Sequence, residues 1–296
     1  MNKESFHYFK AKFWPYLLIA PQLILVIIFF LWPAIKALQD AFYRSDAFGI
    51  HYHFVWFANF RQLFTDSGYL YSFLITIFFA AALTLVAMAA ALYIANKINQ
   101  VLRGKSFYHT LMIWPYAVAP AIAGMLWRFL FDPAIGLVTY VLAKFNYPWN
   151  FTVHSGQAIF LIIIAGAWQQ ISYNFVFYLA GLQAIPDSIL EAATIDGASP
   201  IRRFWSIVFP LLSPMTFFLI AMNFIYAFFN TFGLIQVVTE GGPDNATNIL
   251  VYRVYTDGFI GLDFGKSAAE SVILMIIVGL LTILHFKYIE KMVHYK

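Results

Sequence analysis

The sequence predicts an all-α membrane protein that crosses the bilayer six times. Of its 296 residues, 62% are hydrophobic and only 11% are charged, and its mean hydropathy is +0.74. Ordinary soluble domains are about 25% charged. So little polar surface excludes a soluble globular enzyme, a disordered protein and a secreted disulfide scaffold. The sequence has no cysteine, which also excludes thiol catalysis and Cys-ligated metals.

Six stretches are long and apolar enough to form membrane-spanning helices, which need about 20 residues each. The alternating pattern of an outer-membrane barrel is absent. The first stretch is too long for a signal peptide and lacks a small-residue cleavage site after it, so we expect it to be a retained span. Within a single transmembrane domain, 1–296, the expected spans are 13–35, 70–95, 106–128, 156–182, 207–232 and 268–288.

The orientation follows from the basic residues between the spans. With a cytoplasmic N-terminus, 11 basic and 5 acidic residues fall on the cytoplasmic side, against 7 basic and 9 acidic residues outside. Cytoplasmic loops of membrane proteins carry the excess of Lys and Arg. We therefore expect both termini in the cytoplasm, with the net charge of +4 facing membrane lipids rather than nucleic acid.

Polar side chains cluster in spans four and five. Those of span five are spaced i, i+3 and i+7, which places them on one helix face. They have two interpretations, which are hydrogen bonding between helices and the lining of a substrate path. The candidate path residues are Gln169, Gln170, Tyr173 and Asn174 in span four and Asn223, Tyr226 and Asn230 in span five.

Few charged or metal-ligating groups accompany these spans. Arg128, at the outer end of span three, either attracts a phosphate group or extends to the lipid headgroups. His51 and His53 lack neighbouring carboxylates, so we expect no metal site. We also expect no buried acid or lysine of an ion relay within a span, and no catalytic residues, since neither H-E-x-x-H nor an evident Ser-His-Asp arrangement occurs.

The loop 186–210, between spans four and five, predicts a helix, a glycine turn and a second helix. Ser188 and Glu191 have the spacing of a capping box. Gly197 suits the left-handed backbone conformation that often follows the last turn of a helix. Ser199 followed by Pro200 suits the start of the next helix. Such a hairpin either rests on the lipid headgroups or docks a soluble partner.

The same loop resembles the EAA loop of ABC importer permeases, whose pattern is E-A-A, three residues, G, nine residues and I-x-L-P. The chain departs from it only at Phe209, which takes the Leu position. The string 182–198 and the triplet 241–243 resemble the sugar-permease branch. The strings 14–23, 115–121, 170–175 and 261–263 resemble permeases of sn-glycerol-3-phosphate importers. The residues expected to couple to the ATPase are Glu191, Ala192, Ala193, Asp196, Gly197, Ile207 and Pro210.

This resemblance implies the fold of a type I ABC importer permease in a bacterial inner membrane. It also implies three kinds of partner, which are a second homologous permease, a dimer of cytoplasmic ATP-binding subunits and a periplasmic substrate-binding protein. ATP and Mg²⁺ would bind the partner ATPase. This chain, which has no Walker A loop, would hold no cofactor and be no enzyme. The implied cargo is sn-glycerol-3-phosphate or a glycerophosphodiester; the alternatives are a sugar or oligosaccharide, or an ion-coupled secondary transporter.

Overall fold

The chain is helical along most of its described length, as the sequence predicts. The computed structural model describes residues 14–45, 52–100, 104–285 and 287. The first residue of predicted span one, the last of span six and His51 lie outside the described residues. In the first half, the helices are α1 (Trp14–Val26), α2 (Trp32–Asp40), α3 (Ala58–Thr65), α4 (Ser67–Asn99), α5 (Lys105–Ile113), α6 (Pro120–Leu130) and α7 (Leu137–Lys144).

The second half contains the long helix α8 and a series of shorter helices before the last span. These are α8 (Ser155–Gln183), α9 (Asp187–Ile195), α10 (Pro200–Arg203), α11 (Phe209–Leu211), α12 (Ser213–Ile225), α13 (Phe232–Val238), α14 (Leu250–Tyr255) and α15 (Phe264–Leu284). A 3₁₀ turn covers Trp114–Ala117, and π-helical turns cover Ile27–Leu31, Phe204–Val208, Tyr226–Asn230 and Thr256–Ile260.

A short antiparallel strand pair interrupts the helices, and the sequence analysis did not predict it. Strands β1 (Tyr43–Ser45) and β2 (Tyr52–Phe54) pair with Arg44 opposite His53. The buried side chain of Asn59 donates hydrogen bonds to the carbonyls of Ala41 and Tyr43, both at 2.9 Å. The pair is therefore fixed to α3.

Five helices in the described part of the chain are long and apolar enough to cross a membrane, and one bent helix pair makes a sixth candidate. The first helix continues to Asp40, beyond the predicted end of span one at 35. Lys36 Nζ lies 3.0 Å from Asp40 Oδ1, four residues further along the same helix. The charge of Lys36 therefore does not end the helix. The five helices are Tyr16–Asp40, α4, α8, Ser213–Asn230 and α15.

The third predicted span, 106–128, is not one continuous helix. Its two parts, Ser106–Ala117 and Pro120–Leu130, meet at an angle of 100°. Val118 and Ala119 have extended backbones, with ψ of 127° and 141°. The ring of Pro120 disfavours helical geometry at the residue before it, which explains the break at Ala119.

The centre of the bundle is the contact between α4 and α8. Leu83 of α4 is fully buried against α8, and a Cβ on Gly166 would lie only 2.7 Å from its Cδ1. Small residues allow such close approach of two helices in a membrane. Further along, Ala91 and Ala95 of α4 pack in one cluster with Tyr178 of α8. The two helices therefore run in the same direction.

Charged side chains, one buried and four half-buried, link three helices at the start of α4 and α15. Arg253 Nη2 lies 2.5 Å from Asp66 Oδ2, and its Nε lies 3.2 Å from Glu270 Oε1. Lys266 Nζ lies 2.7 Å from Asp257 Oδ2. We call these five residues the charge cluster.

The charge cluster corrects the expectation that no span carries a buried acid or lysine. Glu270 lies on α15, a candidate span, and is only 2% exposed, and Lys266 lies one turn before it. The run without charged residues begins only at Ser271. A span predicted from a run without charged residues therefore leaves out the first turns of this helix.

Candidate functional site

The segment 187–211 forms the predicted helix, glycine turn and helix. Gly197 has φ of +76° after α9, and the N–H of Ala198 donates to the carbonyl of Ala193 at 3.0 Å. This six-to-one bond is the Schellman ending of a helix. The next helix begins as predicted, because Ser199 Oγ accepts from the N–H of Arg202 at 3.3 Å.

The predicted capping box of Ser188 and Glu191 is wrong. Helix α9 begins at Asp187, its N-cap residue is Pro186, and no side chain makes a capping hydrogen bond there. Ser188 is therefore the second residue of the helix and not its cap. Asp187 in the first turn still matches the positive end of the helix dipole.

The hairpin 187–211, which we call the coupling hairpin after its predicted role, has two limbs that are tied together and that expose apolar side chains at the surface. Arg203 Nη1 donates to Thr194 Oγ1 at 2.6 Å, which joins the helix after the turn to α9. Ile195 is 85% exposed, Ile201 is 74% exposed and Trp205 is 58% exposed. Three large apolar side chains on one small hairpin are typical of a contact surface.

The EAA-type residues divide between the two sides of the hairpin. Gly197 is needed for its backbone angle and not for packing, because a Cβ there would meet nothing within 4 Å. Ala193 is buried, and Ile207 is half-buried. The exposed residues are Glu191, Ala192, Asp196, Gly197 and Pro210.

The amides of spans four and five face each other. Asn174 and Asn223 exchange two amide hydrogen bonds, of 3.1 and 2.7 Å, and both side chains are fully buried. Tyr226 OH donates to Gln169 Oε1 at 2.9 Å, while Asn230 is exposed. The predicted common face is lost because a π-helical turn replaces the α-helix at Tyr226–Asn230.

Gln170 and Tyr173 lie beside this pair on α8. Gln170 is buried, and within the described chain its Oε1 has no hydrogen-bond partner. The half-buried ring of Tyr173 lies 5.6 Å from that of Tyr116, next to the broken span. Tyr173 therefore packs against an aromatic ring of span three.

Arg128 supports the packing of two helices. Its Nη1 donates to the carbonyl of Val237 at 2.6 Å and lies 3.7 Å from Glu240 Oε1. The contact joins α6 to the end of α13. The described residues contain no group of three His, Asp or Glu side chains placed to hold a metal ion.

The comparisons with known proteins identify the family. The sequence model described as "Binding-protein-dependent transport system inner membrane component" matches residues 93–294. The chain belongs to this family. It is thus a multi-pass inner-membrane component of a transport system, and the predicted permease class is confirmed.

Curated relatives of this permease match almost end to end. It is 55% identical to the sn-glycerol-3-phosphate transport system permease protein UgpA of Agrobacterium fabrum, over 97% of this chain and 98% of that one. The protein of the same name from Yersinia pestis is 51% identical, with the same coverage of both chains.

Solved structures share the permease fold. A bacterial ABC transporter involved in the import of the acidic polysaccharide alginate matches with a TM-score of 0.82 at 18% identity, over 94% of this chain and 96% of that one. A bacterial alginate ABC transporter in complex with an alginate pentasaccharide-bound periplasmic protein matches with a TM-score of 0.79 at 19% identity, over 92% of each chain. The all-α polytopic fold is therefore confirmed.

The sequence analysis missed the charge cluster and the break in span three. The break had a signal, since Pro115 and Pro120 both lie within the predicted span. The cluster had none, because Asp66 and Arg253 are 187 residues apart.

Proposed function

We propose that this chain is a permease subunit of an ATP-driven importer of sn-glycerol-3-phosphate. The observation that carries the proposal is the identity of 55% to a permease named for that substrate, over nearly the whole of both chains. Glycerophosphodiesters fall within the same proposal. A sugar or oligosaccharide remains the alternative cargo, because the fold is shared with permeases of an alginate transporter.

Uptake measurements test the cargo. Cells of a host that lacks its own glycerol-3-phosphate importers, and that carry the complete transporter, should accumulate labelled sn-glycerol-3-phosphate. Unlabelled glycerol-3-phosphate should suppress the signal and maltose should not. Accumulation of labelled maltose without glycerol-3-phosphate would contradict the proposal and favour the sugar.

The proposed complex contains a second homologous permease, two cytoplasmic ATP-binding subunits and a periplasmic binding protein. ATP and Mg²⁺ bind the ATP-binding subunits, while this chain holds no nucleotide, no cofactor and no catalytic residue. Both termini and the coupling hairpin face the cytoplasm, and the apolar side chains of Ile195, Ile201 and Trp205 contact an ATP-binding subunit. The exposure of these side chains supports this contact.

The hairpin transmits ATP binding to the spans. ATP can favour one transporter state only if the ATP-binding subunits bind the two states differently. A hairpin whose limbs are tied by the bond between Arg203 and Thr194 transmits a displacement better than a flexible loop does. Glu191, Ala192 and Asp196 lie on the exposed side of α9 and its end, where a partner would meet them.

Glu270 is the observation that favours an ion-coupled transporter, since buried carboxylates mark ion pathways in membranes. However, its Oε1 is paired with Arg253 in a cluster that joins three helices. Energised cells separate the two mechanisms. An uncoupler that collapses the proton gradient while cellular ATP is maintained should leave uptake unchanged, and loss of uptake would support ion coupling.

A further inference from the structure

Candidate spans three and five each change direction or helix type part-way along. In span three, the helix breaks at Val118 and Ala119, and α6 follows at 100° to the first part. In span five, α12 passes into the π-helical turn Tyr226–Asn230, and α13 follows after Thr231. A stretch of 3₁₀-helix or a π-helical turn inside a longer helix often marks a functional hinge or site.

The parts after the two interruptions pack tightly on each other. A Cβ on Gly124 of α6 would lie 3.3 Å from the carbonyl oxygen of Leu234 on α13. A Cβ on Gly233 would lie 3.6 Å from that of Ala121. Small residues at these positions bring the two backbones close, as in other membrane helix pairs. At its far end, the pair is tied by the hydrogen bond from Arg128 to the carbonyl of Val237.

A single side chain of α8 connects both interruptions. Gln169 Nε2 donates to the carbonyl of Val118 at 2.7 Å, and Gln169 Oε1 accepts from Tyr226 OH at 2.9 Å. The first hydrogen bond of α6 is accepted by the carbonyl of Ala119. The carbonyl of Val118 lies one residue earlier, so α6 offers it no N–H donor and its partner must come from another helix. An unpaired carbonyl is strongly unfavourable in a membrane interior, and Gln169 is only 4% exposed.

We propose that α6 and α13 form one unit that moves as a whole during transport, and that Gln169 is the positioning residue that holds its two hinge points against α8. The inference rests on the proposed transport function of the chain. Rigid packing between α6 and α13 keeps the unit together. Since each of the two bonds of Gln169 joins one interruption to α8, movement at one interruption is passed to the other.

An engineered disulfide tests whether the pair stays together. The natural chain has no cysteine, and the Cβ separation of 3.6 Å at positions 121 and 233 lies within the range of about 3.5–4.5 Å that a disulfide needs. In the full transporter, the double variant Ala121→Cys with Gly233→Cys should cross-link on oxidation and keep its uptake. The two single variants are the controls. Loss of uptake on oxidation, restored by a reductant, would overturn the proposal.

Distance measurements test whether the unit moves. Spin labels on the double variant Ile122→Cys with Leu85→Cys report the separation of α6 from α4, and both side chains are exposed. Binding of ATP to the full transporter should change that distance. The same labels should give one unchanged distance if α6 is fixed, and this result would also overturn the proposal.

Substitution of Gln169 tests its positioning role. Gln169→Leu removes both bonds and should lower the uptake per ATP hydrolysed by roughly tenfold, the equivalent of one or two buried hydrogen bonds. Tyr226→Phe removes one bond and should have a smaller effect. The double variant should match Gln169→Leu alone, because the bond of Tyr226 goes to Gln169.

A control with a comparable buried hydrogen bond lies on α4. Thr76 Oγ1 accepts from the N–H of Leu250 at 2.9 Å, which joins α4 to the start of α14. Thr76→Val should lower the thermal stability without changing the uptake per ATP. An equal loss of coupling in this control would overturn the positioning role of Gln169.

The outcomes separate this inference from the proposed function. Cross-linking and label distances need no transported substrate. If they behave as expected while glycerol-3-phosphate is not taken up, the cargo is wrong and the hinge stands. If uptake is normal but the label distances do not respond to ATP, the hinge is wrong and the cargo stands.

Discussion

At the coupling hairpin, Ile195 and Ile201 are mostly exposed, whereas at the opposite end of the bundle the buried Glu270 pairs with the half-buried Arg253. The hairpin follows the last residue of α8, and the charge cluster holds the first turns of α4 and α15. One end therefore leaves apolar groups without a partner within the described chain, and the other end pairs its charges internally.

This difference separates stability from coupling. A buried ion pair with one partner removed leaves an uncompensated charge, which is strongly destabilising. An exposed side chain away from such features changes the free energy of unfolding by about 0.5 kcal/mol or less. We therefore expect substitutions in the charge cluster to unfold the protein and those in the hairpin to disconnect it from its partners.

The largest effect is expected for Arg253→Met. It leaves Asp66 and Glu270 without their main partner, and the free energy of unfolding should fall by about 3–5 kcal/mol. Chemical denaturation of the detergent-solubilised protein measures this. Lys36→Met, which breaks the more exposed pair with Asp40, should cost at most about 1 kcal/mol. Equal stability of the two variants would contradict the view that the charge cluster stabilises the protein more than an exposed ion pair does.

Ile195→Asp should leave the fold intact and disconnect the ATPase. Loss of one central apolar contact typically costs about 2 kcal/mol of binding, which corresponds to roughly 30-fold in affinity. Substrate-stimulated ATPase activity of the reconstituted transporter is the measurement, with the unfolding midpoint measured alongside it. A variant with normal ATPase stimulation would exclude Ile195 from the contact surface.

Gly197→Val should weaken coupling less than Ile195→Asp. A left-handed backbone costs a residue with a Cβ about 1–2 kcal/mol, although the space around Gly197 is open. Up to tenfold less stimulated ATPase activity is expected. Gly197→Asn should behave almost as the natural protein does, because Asn tolerates this conformation. If Asn and Val were equally harmful, the backbone angle would not be the reason for the glycine.

The smallest effect is expected for the pH dependence of the stability, which comes from the ionisation of Asp66. Burial raises the pKa of Asp66, but the charge of Arg253 and two backbone N–H donors outweigh burial and hold that pKa below its usual value. The stabilisation by ionised Asp66 is therefore complete above its unfolded pKa of about 3.9. It is lost as the pH falls through the lower folded pKa.

Thermal unfolding between pH 6 and pH 3 measures this loss. The natural protein should lose stability towards pH 3, and Asp66→Asn should be less stable at pH 6 but fall less steeply. Parallel curves for the two proteins would contradict the contribution of this carboxylate.

The hairpin was predictable from the sequence because its signals are local. Gly197 and Ser199 act on backbone groups within a few residues, and both have the predicted roles. The capping box failed by a small shift, since α9 begins at Asp187 rather than after Ser188. Boundary errors of this size are common because one residue changes which N–H groups are open.

The interior could not be predicted to the same degree. The partner of Gln169 is a carbonyl 51 residues away, and the partner of Arg253 is a carboxylate 187 residues away. Periodicity shows that such residues lie on helices, but the choice of partner is made by the packing of several helices. The break in span three had a local signal, because Pro120 directly restricts the backbone conformation of Ala119.

The length of α4 has a consequence for where partners meet this permease. Its 33 residues extend about 50 Å at 1.5 Å per residue, while the hydrocarbon layer is about 30 Å thick. A tilt of roughly 50° would be needed to hide the whole helix, beyond the range of about 0–40° that spanning helices adopt. Part of α4 must therefore extend beyond the hydrocarbon layer, into the headgroup region or the water. Soluble proteins can thus reach an end of the bundle without entering the hydrocarbon layer.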